Sequence, residues 1–243
     1  MEETLIRFRL KGRFAHFLKA ESGVTALTYP VPSRTVIMGL VGAVLGLEKD
    51  EPQQSLASIN VTVEGTLPMT HWHKVKLRKD PPNQLPHIIN SRQQGGENTK
   101  PEKATLIRQE WLFNPEYIIG VMLPKPYQDE LGRRLQNRQW HFTPCLGLSE
   151  LLADLEYMET VTVGKLPPGD YEIQGLIRQD QAKLDIEAMY GNNLSINMLR
   201  LPRQVTTDRV FSHAPYLFET NGRKVKLKTD AAYSDGERAW MFL

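Results

Sequence analysis

The chain has 243 residues, 40% of them hydrophobic and 24% charged, and 30 Lys or Arg against 28 Asp or Glu leave a net charge of +2. This is the composition of an ordinary soluble globular protein of one to two domains, large enough to bury a core without staples. The single cysteine, Cys145, excludes an internal disulfide framework and a cysteine-rich zinc module, and suits a reducing compartment.

The opening Met1-Glu2-Glu3 is acidic where a signal peptide is basic. The longest apolar run, Val36 to Leu47, is interrupted by three glycines. It is too short for a bilayer, which needs ~20 apolar residues, and reads as a buried core helix. A cytoplasmic protein with no membrane partner is expected.

From Leu5 to Lys11 the chain alternates. Ile6, Phe8 and Leu10 share one face and Arg7, Arg9 and Lys11 the other, the pattern of a half-buried strand. Tyr29-Pro30-Val31-Pro32 excludes helix and ladder pairing. Ser33 then stands as a candidate N-cap for a helix running to about Leu47. Its Gly39, Gly42 and Gly46 fall on one stripe, which predicts close approach to something flat, such as a sheet. Asn60–Leu67 and Tyr117–Leu123 read as the second and third strands. A second helix carries Tyr127, Leu131 and Leu135 on one face, with Glu130 placed to pair with Arg134. Trp140–Phe142 reads as a short fourth strand.

The resulting order, strand-helix-strand-strand-helix-strand, predicts an α+β, ferredoxin-like βαββαβ domain over residues 1–150, an order shared by RNA-recognition modules. Residues 151–243 read as a smaller β-rich extension. Its short strands are expected at Thr160–Val163, Tyr171–Ile177, Gln204–Phe211 and Val225–Lys228, with turns at Pro167-Pro168-Gly169-Asp170 and Asn221-Gly222. Both packing on the first module and standing apart are open to it.

A long insertion, about 68–116, separates the second and third strands, and connections of that length in compact domains are functional or unstructured. Residues 71–109 hold eight bases (Lys74, Lys76, Arg78, Lys79, Arg92, Lys100, Lys103 and Arg108) and only three acids, so this segment is +5 and the remaining chain −3. Lys74, Lys76 and Arg78 alternate with Val75 and Leu77 as on a strand with one basic face. Such an arm can lie along phosphates; a solvated hairpin that serves solubility has the same signature.

His71-Trp72-His73 sets two imidazoles on one side of a strand, but no further ligand stands at zinc spacing. Trp72 can stack on a base or anchor the arm's root. Acid–base cleavage of RNA uses His, Tyr or Lys, types supplied by His16, Tyr29, His71, His73 and Lys74, though six histidines are no enrichment. Walker, G-x-G-x-x-G, G-x-S-x-G and H-E-x-x-H motifs are absent, so ATPase, dehydrogenase and zinc-protease readings have no support. Cys145 reads as a packing residue.

Three segments then resemble a known family. They are Gly12-Arg13-Phe14-Ala15-His16-Phe17-Leu18-Lys19, then Leu27-Thr28-Tyr29-Pro30-Val31-Pro32-Ser33-Arg34-Thr35 running into Gly39–Gly46, and Thr143-Pro144-Cys145-Leu146-Gly147-Leu148-Ser149-Glu150. Together they are similar to the fifth CRISPR-associated protein family of the RAMP superfamily, in a style nearest type I-B. The resemblance implies a ferredoxin-like body with a β-hairpin thumb and a variable C-terminal part. It implies a subunit of a type I surveillance (Cascade) complex that holds the 5′ handle of the CRISPR RNA, contacts the backbone and large subunits, and meets target DNA indirectly.

On that resemblance His16, Lys19, Arg34, Thr35, Gly147 and Ser149 are expected at the handle, and His73, Lys74, Lys76, Arg78 and Arg92 along the guide backbone. Arg34 and Thr35 stand at a helix N-terminus, which attracts phosphate. No cofactor or metal is expected. One branch of the family cleaves precursor RNA with a Tyr, a Lys and a His. Here Tyr29 is available, but His73-Lys74 reverses the Lys-His order. The expectation is therefore a non-catalytic RNA-binding subunit, with a metal-independent endoribonuclease as the alternative.

Overall fold

A computed structural model describes residues 3–19, 25–78 and 104–243. Strand β1 (Glu3–Lys11) buries Ile6, Phe8 and Leu10, as its alternation predicts. Helix α1 (Arg34–Leu45) starts at Ser33, whose Oγ accepts from the Val36 amide at 3.4 Å. It ends at Gly46, held at φ 84°, with the amides of Gly46 and Leu47 both donating to the Gly42 carbonyl. The glycine stripe does not face a sheet. Gly39 looks into open space, while a Cβ on Gly42 would come within 2.6 Å of the Pro52 ring. That proline opens the single turn α2 (Pro52–Ser55).

Strand β2 (Asn60–Gly65) leads into β3 (Met69–Arg78), which pairs antiparallel with β4 (Ala104–Phe113), and β5 (Glu116–Met122) follows directly. Helix α3 (Tyr127–Asn137) buries Leu131 and Leu135, and Arg134 donates to Glu130 at 2.6 Å as expected.

The fourth strand is not at Trp140–Phe142. There the chain turns across the end of α1, and the amides of His141 and Phe142 donate to the carbonyls of Val44 and Ala43. Those carbonyls have no partner within their helix, so this segment works as a C-terminal cap. The strand that follows α3 is β6 (Asp154–Lys165), beyond the boundary expected at residue 150. It pairs antiparallel with β1, with Leu5 opposite Val161 and Leu10 opposite Leu155.

The C-terminal region adds β7 (Gly169–Ile173), β8 (Ile177–Arg178), helix α4 (Ile186–Gly191), β9 (Ile196–Val205), β10 (Phe211–Glu219), β11 (Val225–Thr229), β12 (Ala232–Ser234) and β13 (Ala239–Met241). The strand expected at Gln204–Phe211 is instead the turn between β9 and β10, closed by the Thr206 amide on the Val210 carbonyl. Asn221-Gly222 is a turn, with Gly222 at φ 70°, but β10 and β11 on either side of it join different sheets.

The main sheet runs β13-β12-β6-β1-β5-β2, and β6, β1, β5 and β2 are antiparallel to their neighbours. Ile6, Phe8 and Leu10 share one core with Ile37, Val41 and Val44 of α1 and Leu131 and Leu135 of α3. Each such side chain contributes roughly 1.5–3 kcal/mol by leaving water. Leu155, Leu201, Tyr216 and Phe218 enter the same core, so residues 151–243 pack on the first module and do not stand apart. This is a sheet-rich α/β protein with few helices.

Candidate nucleic-acid interface

The β3–β4 hairpin projects where the basic insertion predicts an arm. In its antiparallel register His71 faces Trp111, His73 faces Gln109 and Lys74 faces Arg108. Alternation gives the hairpin two different sides. One side carries His73 stacked on Trp111 (ring centroids 4.2 Å apart, planes at 26°), and Phe14 leans on both Trp111 (5.4 Å) and His71 (6.2 Å). The other side carries Trp72, Lys74, Lys76 and Arg108, all exposed. Trp72 is 53% exposed and does not anchor the root.

The root is held by other groups. Leu112 is buried, the Glu110 carboxylate accepts from the Thr28 amide at 3.1 Å, and the Glu110 carbonyl meets His16 Nδ1 at 2.8 Å. On the far edge of β4, short ladders bring in residues 14–15 and 25–26. Arg78 contributes its backbone to the end of the hairpin, and Arg92 lies outside the described residues.

The residues expected at the RNA handle divide into two groups. Arg34 is 6% exposed and donates to the carbonyls of Ile59 (Nε 3.1 Å, Nη2 2.8 Å), Ala57 (2.6 Å) and Arg203 (3.0 Å). Burial, and then the nearby Arg203 charge, lower its pKa. Its donors are committed to the body rather than to a phosphate. Thr35 closes the helix cap through Ser33 Oγ at 2.9 Å. His16 is 2% exposed and fixed to Glu110. Gly147 sits at φ 98°, where a Cβ would collide with the His16 carbonyl, so its role is close backbone approach. All four thus have contacts within the body, Arg34 and His16 buried, Thr35 half-buried and Gly147 exposed. Ser149 is exposed, with its Oγ donating to Glu150 at 3.3 Å, and Lys19 is half-buried.

Lys19 belongs to a cluster that sequence spacing does not announce. The short strand 17–18 pairs with 28–29, placing Lys19 beside Tyr29 with its Nζ 5.5 Å from the ring centroid. Tyr29 is buried, and its hydroxyl lies 3.3 Å from His213 Nε2 on β10. The imidazole arrives from 184 residues away, and no local motif marks it. By contrast, His73 and Lys74 are strand neighbours that point to opposite faces, so they do not form a side-by-side pair. Among the described residues, no three His, Cys, Asp or Glu side chains gather as a metal site, and no helix is long and apolar enough to cross a membrane. Cys145 is half-buried and bridges to Leu152.

Together these features define an α/β body carrying a two-faced basic hairpin, with a Lys–Tyr–His cluster involving the short strands beside the hairpin's root. Residues 5–213 match the family model described as CRISPR-associated protein (Cas_Cas5), and the chain belongs to that family. It is 29% identical over 152 residues to the CRISPR pre-crRNA endoribonuclease Cas5d of Thermus thermophilus, a match covering 61% of this chain and 62% of that protein. The fold is similar to a chain of a solved CRISPR RNA-guided surveillance complex, with a TM-score of 0.53, 14% identity, and coverage of 93% of this chain and 91% of that one. A CRISPR protein from Archaeoglobus fulgidus aligns over 98% of this chain and 97% of its own, at 11% identity and a TM-score of 0.49. The Thermus relative is named as an enzyme, and this overturns the expectation that the chain is non-catalytic.

Proposed function

We propose that this chain binds a CRISPR RNA at its 5′ handle and generates that end by cutting the precursor at the Lys19–Tyr29–His213 cluster, without a metal ion. The observation that carries the reading is the 3.3 Å contact between the Tyr29 hydroxyl and His213 Nε2, with the Lys19 ammonium beside the same ring. The named activity of the Thermus relative and the family match support it.

In metal-free RNA cleavage the ribose 2′-oxygen attacks the adjacent phosphorus. The O2′–P bond forms, the P–O5′ bond breaks, and the products are a 2′,3′-cyclic phosphate and a 5′-hydroxyl. The 2′-hydroxyl must lose a proton and the leaving oxygen must gain one. Tyr29 takes the first proton as it passes its own hydroxyl proton to His213 Nε2. Lys19 offsets the charge on the phosphorane and donates to the 5′-oxygen. The basic face at Lys74, Lys76 and Arg108 tracks the phosphates, and the exposed Trp72 on that face offers a base a stacking partner.

The strand order β6-β1-β5-β2, with α1 and the single turn α2 in one crossover and α3 in the other, is read as the ferredoxin-like arrangement, and the hairpin as its thumb. The protein acts beside the backbone and large subunits of a type I surveillance complex, meeting target DNA through them.

The test is cleavage of the CRISPR repeat RNA by the purified chain in EDTA. One cut leaving a 5′-hydroxyl is expected. Tyr29→Phe and His213→Ala should each slow it by at least about 100-fold while the RNA is still retained on a filter. A cut that needs added metal, or that both variants perform at the native rate, overturns the proposal.

A further inference from the structure

The far edge of β4 changes partner halfway along. Residues 14–15 pair antiparallel with Phe113 and Leu112, and residues 25–26 pair parallel with Arg108 and Gln109. Glu110 and Trp111 lie between the two ladders, and at Glu110 other bonds replace the missing strand. Its carbonyl accepts from His16 Nδ1 at 2.8 Å, and its half-buried carboxylate accepts from the Thr28 amide at 3.1 Å.

Thr28 is buried, and a buried amide needs an acceptor from the protein. Glu110 supplies it to the short strand that also carries Tyr29. The same strand is bonded to residues 17–19 on its other side. Thr28 Oγ1 accepts from the Phe17 amide at 2.8 Å, and the Leu27 carbonyl accepts from the Lys19 amide at 2.9 Å. Lys19 and Tyr29 therefore hang on one small ladder, and the Glu110 carboxylate ties that ladder to the arm.

Charge is a second, independent observation. Glu110 is the sole acid in the sequences of β3 and β4, against four bases. It stands opposite Trp72 and two residues from Arg108, hence on the cationic side of the hairpin. A carboxylate on that side repels phosphate, so solvation of the arm does not account for it. Its bond to Thr28 does.

We propose that Glu110 is a positioning residue for cleavage: through the Thr28 amide its carboxylate holds the Tyr29 hydroxyl in register with His213, which arrives on the separate strand β10. The assignment rests on the cleavage reading above. It makes the arm that tracks the RNA also the element that aims the tyrosine.

The experiment uses the full chain and the CRISPR repeat RNA in EDTA. Single-turnover cleavage is timed at saturating protein, and affinity is measured with an RNA carrying a 2′-deoxyribose at the cut. Glu110→Ala should slow cleavage about ten- to hundredfold, since small misplacements of reacting groups are that costly. Its Kd should stay within about threefold of the native value. Glu110→Gln loses the charge but keeps an acceptor, and should cut within about threefold of the native rate. Exchange of the Thr28 amide, followed by NMR, should be at least about tenfold faster in Glu110→Ala and unchanged in Glu110→Gln. Glu110→Met, which fills the space without an acceptor, replaces Glu110→Ala should the latter melt below the assay temperature. Unfolding of both overturns the proposal, because the residue then holds the body together rather than aiming Tyr29. So does a native rate in Glu110→Ala, an equal loss in Glu110→Gln, or a loss of affinity that matches the loss of rate. Native protein and Tyr29→Phe are run in parallel. Tyr29-dependent cutting that ignores Glu110 sinks the positioning role alone. A native chain that does not cut, with Thr28 exchange split between the variants as expected, sinks the cleavage reading alone.

Discussion

Gly147, expected near RNA, holds two loops together. Its φ of 98° and its approach to the His16 carbonyl leave no room for a side chain, and the His16 amide donates to the neighbouring Leu146 carbonyl at 2.9 Å. Gly147→Ala should lower stability by at least ~2 kcal/mol, seen as a drop in the urea midpoint with an unchanged slope. Arg34 teaches the same lesson. A basic residue at a helix start has the chemistry of a phosphate ligand, but here the loop 57–59 and the β9 backbone reach it first. Residue type was legible in both cases, while the direction each group faces depends on partners far away in the chain. Tyr29 was legible as a candidate from its residue type and from the family resemblance. His213 was not, because only the packing of β10 against the short strands near the N-terminus makes the two meet.

Most elements with a clear period could be read from sequence alone. The alternation of β1, the apolar run of β5 and the Tyr127/Leu131/Leu135 spacing of α3 all correspond to observed elements. The failure at Trp140–Phe142 has a physical cause. Three large rings in a row have strand propensity, yet the unpaired carbonyls at the end of α1 recruit those amides as a cap. The arm was readable from its charge excess, and the structure adds that its charge and its aromatic stack occupy opposite sides. Reversing Lys74 and Lys76 to Glu should therefore weaken RNA binding without altering the root, whose contacts run through Leu112 and Glu110. The plot of log affinity against log salt should flatten by about one to two units of slope, measured by fluorescence anisotropy. An unchanged slope would mean that phosphates bind elsewhere.

At the scale of the molecule, the second face of the main sheet is closed by the C-terminal region through a buried polar network. Arg7 Nη2 meets Glu64 at 3.0 Å with both side chains about 95% buried, Trp240 Nε1 donates to Glu64 at 2.8 Å, and Glu159 joins Arg7 to Arg238. Glu64→Ala should cost about 3–5 kcal/mol, since it strands the Arg7 charge, and calorimetry would show it as a lower Tm. Hydrogen bonds from Arg238 and then Arg7 hold the Glu159 carboxyl below its usual range, and Asp235 is lowered too, burial being outweighed by its backbone and side-chain bonds from Arg238. Carboxylates lowered in the folded state stabilise it above their unfolded pKa, near 4, and lose that contribution as pH falls through the folded values. Melting temperature should fall on acidification below about pH 4, and fall less in Arg238→Met, whose carboxylates have lost that partner.

The position of β6 matters before the protein is ever finished. On an elongating ribosome β1 emerges well before β6, so one of its two edges stays bare until residues 154–165 have been made. For that interval the growing chain offers an exposed strand template to any neighbour, which is the condition under which nascent proteins aggregate or engage chaperones. A stop placed after Glu150 would make that vulnerable state permanent, yielding a fragment with α1 and α3 present but its sheet unsealed.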